Sequence, residues 1–283
     1  MQKLKALIFG ATDVALRNMD VLTDRYDIVC LMDVFDKKYT SDFEGTGYAC
    51  CSLDEGLIKP YDVIVIAASA TYGLFMEMLL ARGVGRGRII TELVSTIVEG
   101  RISFLENFAR DVVQQQIPGS VAEGGVFQGE FAREINKCFP ERKLYLFDTF
   151  TGFDQRDVEK EPTPAKYNFN IVAGRYDFTT EELVLNKMPH PEKVEIRKGY
   201  FPQTAVGLED KFCFVNLDFD LYEPIYQGLE FFVPKMSPGG VILVHDYYSD
   251  LYSVPNAVKA YEDKYGKLNY MPIGDKYSIA ILL

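Results

Sequence analysis

The stretch Val121-Ala-Glu-Gly-Gly-Val-Phe-Gln-Gly-Glu130, taken with Phe147-Asp148, holds the residues of this chain best placed to do chemistry. An apolar run leads into Glu123 and then into glycines at 124, 125 and 129. A helical stretch follows over 131–139, and a second strand over 143–147 ends in a carboxylate. This is the layout of a nucleoside-binding βαβ unit, in which an acid stands about 20 residues beyond the glycines. Gly124, Gly125 and Gly129 would let the backbone come close to a ligand. Asp148, with Thr149 beside it, would accept hydrogen bonds from both ribose hydroxyls. Glu123 discriminates between ligands: a carboxylate there repels a pyrophosphate and attracts the cationic methionine portion of S-adenosylmethionine, which is therefore the expected donor.

Such residues need a sheet to hold them level. Continuous apolar strands are expected over 194–197, 212–217 and 241–244, followed respectively by Gly199-Tyr200, Asp218 and His245-Asp246. Helical spacing marks 221–233, with Pro238-Gly-Gly240 expected to close it, and 254–265. Thr179-Thr180-Glu181-Glu182 reads as a helix start with an N-cap and acids in its first turn. Two final strands over 269–273 and 277–282, separated by Gly274-Asp275, predict a mostly parallel sheet with one antiparallel strand. Residues 151–176 are polar and aperiodic, which suits a lid over the site.

The first part of the chain forms βα repeats of its own. Strands are expected over 4–9, 28–32, 63–67 and 88–90, with helices over 14–22 and 71–82. Its glycine pattern, Gly10-Ala-Thr12-Asp-Val-Ala15, keeps the first glycine of a dinucleotide fingerprint and loses the others, while Asp33 stands where a ribose-binding acid would. The expectation is a degenerate Rossmann-like domain over 1–95, a helical connector over 96–118 and the S-adenosylmethionine domain over 119–283. The fold class is α/β with two Rossmann-like domains.

Composition agrees with a well-filled core: 283 residues, 48% hydrophobic, including 20 Phe and 18 Tyr. A net charge of −11 argues against a nucleic-acid partner. No apolar run is long enough to span a membrane, and the N-terminal apolar run is too short for a signal peptide. The five cysteines (30, 50, 51, 138 and 213) lack metal-type spacing and read as buried thiols of a reducing, cytoplasmic setting.

From about residue 115 onward the chain resembles the macrocin O-methyltransferase family, whose members methylate deoxysugar hydroxyls on macrolides. The resemblance runs in order through Val121–Gly129, Phe147-Asp-Thr-Phe-Thr-Gly-Phe153, Lys198-Gly-Tyr-Phe-Pro-Gln-Thr204, Leu217-Asp-Phe-Asp-Leu-Tyr-Glu223, Ser237-Pro-Gly-Gly240 and Val244-His-Asp-Tyr247. It implies a class I methyltransferase fold, S-adenosylmethionine as donor, Gly199 and Tyr200 near the adenine, a sugar or glycoside acceptor, and a divalent cation, usually magnesium. Asp218, His245 and Asp246 are the candidate catalytic and metal-ligating residues, because all three follow strand ends on one sheet edge. Asp220 and Glu223 are secondary candidates. The family usually carries Asp-Asp where this chain has His245-Asp246. Imidazole favours manganese or zinc over magnesium. Either the cation differs, or His245 is the base, or the metal has been lost. Tyr247, Tyr248 and Tyr252 could stack on a sugar face. A homo-oligomer is compatible with all of this.

Two other readings remain open: a nicotinamide-dependent sugar-nucleotide oxidoreductase or epimerase centred on 1–95, and a scaffold that binds donor without catalysing transfer.

Overall fold

Continuous apolar strands joined by helices fold as parallel sheets covered on both faces, and this chain forms two of them. A computed structural model describes residues 3–34, 48–69, 71–162, 171–249 and 252–283. These fall into two compact units, one reaching to Val98 and the other beginning at Glu99.

The first unit comprises β1 (Leu4–Phe9), α1 (Asp13–Arg17), α2 (Met19–Arg25), β2 (Tyr26–Asp33), β3 (Cys50–Ser52), α3 (Leu53–Leu57), β4 (Val63–Ile66), α4 (Tyr72–Ala81) and β5 (Ile89–Ile90). All pairings are parallel, in the order β3-β2-β1-β4-β5. Ala6, Leu7, Ile8 and Phe9 are fully buried, as an unalternating central strand requires. The single helix expected over 14–22 is two helices. The Asn18 side chain donates to the Val14 carbonyl (2.8 Å), a local bond that competes with continued helix. The β3–α3 pair was not anticipated, although Ser52-Leu-Asp-Glu55 is a capping box: Ser52 Oγ accepts from the Glu55 amide and Glu55 Oε2 from the Ser52 amide.

Helix α5 (Glu92–Gln114) contains the division between the units. The second unit continues with β6 (Ser120–Gly124), α6 (Glu130–Cys138), β7 (Leu144–Asp148), α7 (Gln155–Val158), α8 (Glu181–Leu185), β8 (Val194–Lys198), β9 (Phe212–Leu217), α9 (Tyr222–Phe232), β10 (Met236–Val244), α10 (Val254–Tyr265), β11 (Tyr270–Pro272) and β12 (Ile279–Leu282). Its seven strands lie in the order β11-β12-β10-β9-β6-β7-β8, with β12 antiparallel to both neighbours. This is the mostly parallel sheet with one antiparallel strand expected from the sequence.

Pro238-Gly239-Gly240 does not close α9. It lies within β10, where the register against β9 slips between Met236 and Val241. A bulge tolerates the missing proline N–H and the glycines, and the helix is ended instead by the turn at Val233–Lys235.

The stretch expected as connector packs into the second unit's core: Leu105 and Val112 of α5 are fully buried there. Phe214 of β9 lies 5.9 Å, ring to ring, from both Phe108 of α5 and Phe139. Phe212, two residues earlier, packs on Phe232 of α9 at 5.1 Å. Among the described residues no helix is long and apolar enough to cross a membrane.

Part of the 151–176 stretch, residues 163–170, lies outside the described residues. The part before it is fastened at Glu161, whose two oxygens accept from the backbone amides of Tyr222 (2.6 Å) and Ser253 (2.7 Å) at the starts of α9 and α10.

Phe214 is fully buried between two rings, so Phe214→Ala should destabilise the second unit by about 3–5 kcal/mol. The shift in its urea midpoint measures this, and Phe214→Leu should cost clearly less. An unchanged midpoint for the alanine variant would contradict the packing described.

Candidate active site

Three strands end level. Glu123 and Gly124 of β6 pair with Asn216 and Leu217 of β9, and Leu217 pairs with Val244 of β10. The ladder continues one residue further, with the Asp218 amide donating to the Gly124 carbonyl (2.8 Å) and the His245 amide to the Leu217 carbonyl (3.0 Å). Register alone therefore places Glu123, Asn216, Asp218 and His245-Asp246 at one edge. The ligand atoms of Asp218, Asp220, His245 and Asp246 all lie within 4.8 Å of one another. His245 Nδ1 is 2.9 Å from Asp218 Oδ1 and 3.0 Å from Asp246 Oδ2. On the other side of Asp218, Oδ2 accepts from the Arg101 guanidinium of α5 (2.9 Å). The same Arg101 nitrogen reaches Asn216 Oδ1 (3.2 Å), and Asn216 Nδ2 donates to Glu123 Oε1 (2.8 Å).

Glu123, Asn216 and Asp246 are buried and Arg101, Asp218, Asp220 and His245 half-buried, and the protonation of the titratable groups follows from this poor access to water. Burial, reinforced by the Asp218 charge, pushes Glu123 up to about 8. Burial alone would raise Asp218 too, but the charges of His245 and Arg101 outweigh it and hold that carboxyl well below the usual range. Burial disfavours a charged imidazole, yet Asp218 and Asp246 together push His245 up to about 10. Asp220 is raised well above an ordinary carboxyl by burial and by Asp246 and Asp218, and it shares a hydrogen bond with Asp246. Four carboxyls thus face two cations in a poorly solvated pocket.

Asp148 has a definite structural task. Its Oδ2 accepts from the amides of Val126 (2.8 Å) and Phe127 (2.9 Å), and its Oδ1 from that of Phe150 (2.7 Å). Three of its roughly four acceptor positions are thereby used on the backbone of the glycine turn and of its own loop. Gly125 and Gly129 have φ of +81° and +80°, a region that favours glycine. The space beside the turn belongs largely to the protein itself. A Cβ on Gly124 would meet the Phe219 ring at 2.2 Å, and one on Gly125 the Asp218 carbonyl oxygen at 2.0 Å. The first unit repeats the construction in part: Asp33 Oδ2 accepts from the Ala11 amide (2.8 Å).

The other anticipated residues are more dispersed in their roles. Thr149 Oγ1 donates to the Gly152 carbonyl and shapes the loop after β7. The Gly199 amide donates to the Asp148 carbonyl (2.9 Å), which brings the β8 end beside the β7 end. Tyr200 donates its hydroxyl to Asp157 (2.8 Å), and the Arg156 guanidinium covers its ring at 3.6 Å. Glu223 sits in the first turn of α9 and pairs with Lys160. Tyr247 is engaged with Tyr270 through their hydroxyls (2.7 Å), and Tyr252 packs among Phe153 and Tyr176.

Two members of the network were not anticipated. Arg101 interrupts the apolar stripe of α5 one turn before the buried Leu105, and Asn216 is a polar residue inside an otherwise apolar strand. Each was visible as a polar intruder at a core position.

A cationic donor fits one feature of this pocket. Glu123 Oε2 is buried with no hydrogen-bond partner. Such an oxygen suits an ammonium or sulfonium group. A divalent cation fits the clustered donor set of Asp218, Asp220, His245 and Asp246, with the condition that His245 must lose its ring proton before it can ligate.

The family model for macrocin-O-methyltransferase (TylF) matches residues 82–271, well over half of the chain. The chain is 25% identical over 175 residues to the 8-demethyl-8-(2,3-dimethoxy-alpha-L-rhamnosyl)-tetracenomycin-C 4'-O-methyltransferase of Streptomyces olivaceus, an alignment covering 59% of this chain and 66% of that protein. It is also 25% identical over 177 residues to the mycinamicin III 3''-O-methyltransferase of Micromonospora griseorubida, covering 59% and 69%. The match thus spans about two thirds of the length of these relatives. Among solved structures, the O-methyltransferase NovP superposes with a TM-score of 0.55 at 20% identity, over 76% of this chain and 99% of NovP. The calicheamicin methyltransferase CalS11 superposes with a TM-score of 0.53 at 18% identity, over 75% and 91%. These likenesses support the class I methyltransferase fold of the second unit, and by its family match the chain belongs to the macrocin-O-methyltransferase family.

Proposed function

We propose that the protein transfers the methyl group of S-adenosylmethionine to a hydroxyl of a sugar or glycosylated small molecule, with a divalent cation at the acceptor oxygen. The observation that carries this reading is the clustered, half-buried excess of acid at the ends of β6, β9 and β10, with the buried Glu123 Oε2 left open. Family membership supports it, as do the names of the two relatives, both O-methyltransferases and one of them named for a rhamnosyl-bearing substrate.

In this reading Glu123 receives the donor's cationic amino-acid end. The turn from Gly125 to Gly129, fixed by Asp148, shapes the nucleoside site, with Thr149, Gly199 and Tyr200 along its flank. Asp218 and Asp246, with Asp220 and deprotonated His245, hold the cation, which is magnesium, manganese or zinc. A divalent cation bound there supplies Lewis acidity to the acceptor hydroxyl. Asp220 is held in its acid form in the free protein and would give up that proton when the cation binds; its unligated oxygen would then take the hydroxyl proton. The oxygen attacks the methyl carbon in line, the carbon–sulfur bond breaks, and a neutral thioether leaves. One alternative has a specific observation behind it: with its ring protonated between two carboxylates, His245 itself supplies positive charge where the cation would sit.

Incubating the protein with labelled donor and a panel of nucleotide sugars and glycosides, with and without chelator, tests the reading. Label transfer to a sugar hydroxyl that stops on chelation is the expected result, and transfer that survives chelation selects the alternative. No transfer to any of them, or occupation of the site by a dinucleotide, would overturn it. Asp218→Ala should abolish turnover while donor affinity by calorimetry stays within about threefold.

Glu123 yields a pH dependence with a definite sign. Pushed up to about 8, it is mostly protonated in the free protein at pH 7, and a cationic donor favours its carboxylate. Donor binding should release a proton, tighten as pH rises toward 8, and level off above. Glu123→Gln should bind about tenfold more weakly at pH 8 and lose this component of the profile. A wild-type profile in the glutamine variant would remove Glu123 from the donor site.

A further inference from the structure

An arginine in the apolar stripe of a helix is expensive. It gives up hydration and side-chain freedom, and an apolar residue of similar size would serve packing at least as well. Arg101 occupies such a position on α5. Its guanidinium lies 4.2 Å over the Phe131 ring, and its Nε is buried with no hydrogen-bond partner. Stability is therefore a poor account of why it is there.

Its contacts suggest a better one. A single terminal nitrogen donates both to Asp218 Oδ2 and to Asn216 Oδ1. Asn216 is fully buried, and its amide can face in either of two senses. Arginine only donates, so it draws the amide oxygen toward itself and turns the NH2 toward Glu123 Oε1. The flipped amide would set its NH2 against the guanidinium and, with Glu123 ionised as the donor-bound state requires, oxygen against oxygen. The orientation enforced by Arg101 thus holds one oxygen of Glu123 and leaves the other, Oε2, open. The same guanidinium fixes Asp218 among the acids around His245.

We infer that Arg101 is a positioning residue that couples the two halves of the site, setting Glu123 on the donor side through Asn216 and Asp218 on the acceptor side directly. The inference rests on the donor and acceptor assignments proposed above. It divides the network into two arms, one through Asn216 that acts on donor binding and one through Asp218 that acts on turnover, both meeting at one guanidinium.

The test measures donor affinity by calorimetry and kcat at saturating donor, with folding checked by thermal melting. Arg101→Met should weaken donor binding about tenfold and lower kcat about a hundredfold. Asn216→Leu should weaken donor binding by a similar factor, and the double variant should bind donor no worse than the weaker single one, because both changes break one arm. Arg101→Lys, which keeps the charge and can still donate, should recover at least part of the donor affinity. Should Arg101→Met fail to fold, Arg101→Lys and Asn216→Leu carry the same cycle. Additive effects of the two changes on donor affinity, or a folded Arg101→Met with both constants within twofold of the unaltered protein, would overturn the coupling. If the unaltered protein binds donor and methylates while the cycle is additive, the coupling alone fails. If the unaltered protein binds no donor, the function itself fails and takes the coupling with it.

Discussion

The second unit is organised around charge taken out of water at the edge of a sheet. Glu123, Asp218, Asp220 and Asp246 share a small volume with Arg101 and His245, and none of them is well exposed. Removing one partner from such a buried pairing typically costs about 3–5 kcal/mol, since the other is stranded. The arrangement therefore constrains everything that delivers it. Strands β6, β9 and β10 must end level, because a slip of one residue would turn Glu123 and Asn216 to the opposite face of the sheet. Helix α5 must lie with Arg101 toward Asn216 and Asp218, which the burial of Leu105 and Val112 secures.

Backbone strain gathers at the same place. Phe127, Phe150, Asp220 and Asp246 all have positive φ, a conformation costing non-glycine residues about 1 kcal/mol or more each. Two of the four, Phe127 and Phe150, donate their amides to Asp148. One carboxylate thus holds two unfavourable turns in place, against its own burial. The acid at the end of β7 is a builder of the glycine turn and of the loop that follows it.

Much of this was legible in the residues. Unalternating strands gave the parallel sheets, the final strand pair gave the antiparallel member, and register carried Asp218, His245 and Asp246 to one edge. What escaped was tertiary. Arg101 reaches Asp218 from more than a hundred positions away, and only its place in an apolar stripe betrayed it. Asn216 looked like an ordinary strand residue until its neighbours were known. The break at Asn18 turned on a single side-chain bond to a backbone carbonyl, and the bulge at Pro238–Gly240 on whether a strand could absorb residues that elsewhere end a helix. Asp148 was assigned to a ligand because its position was recognisable, while its three backbone bonds depend on how the loop closes.

The filled space around the glycine turn bears on how this enzyme could be altered. At positions 124 and 125 the side-chain direction points into Phe219 and the Asp218 backbone, so diversity introduced there would be rejected during folding before it met any cofactor. If the turn flanks the donor as proposed, a library meant to admit bulkier donor analogues gains nothing from these two codons. The room for variation lies in residues whose side chains already leave the turn.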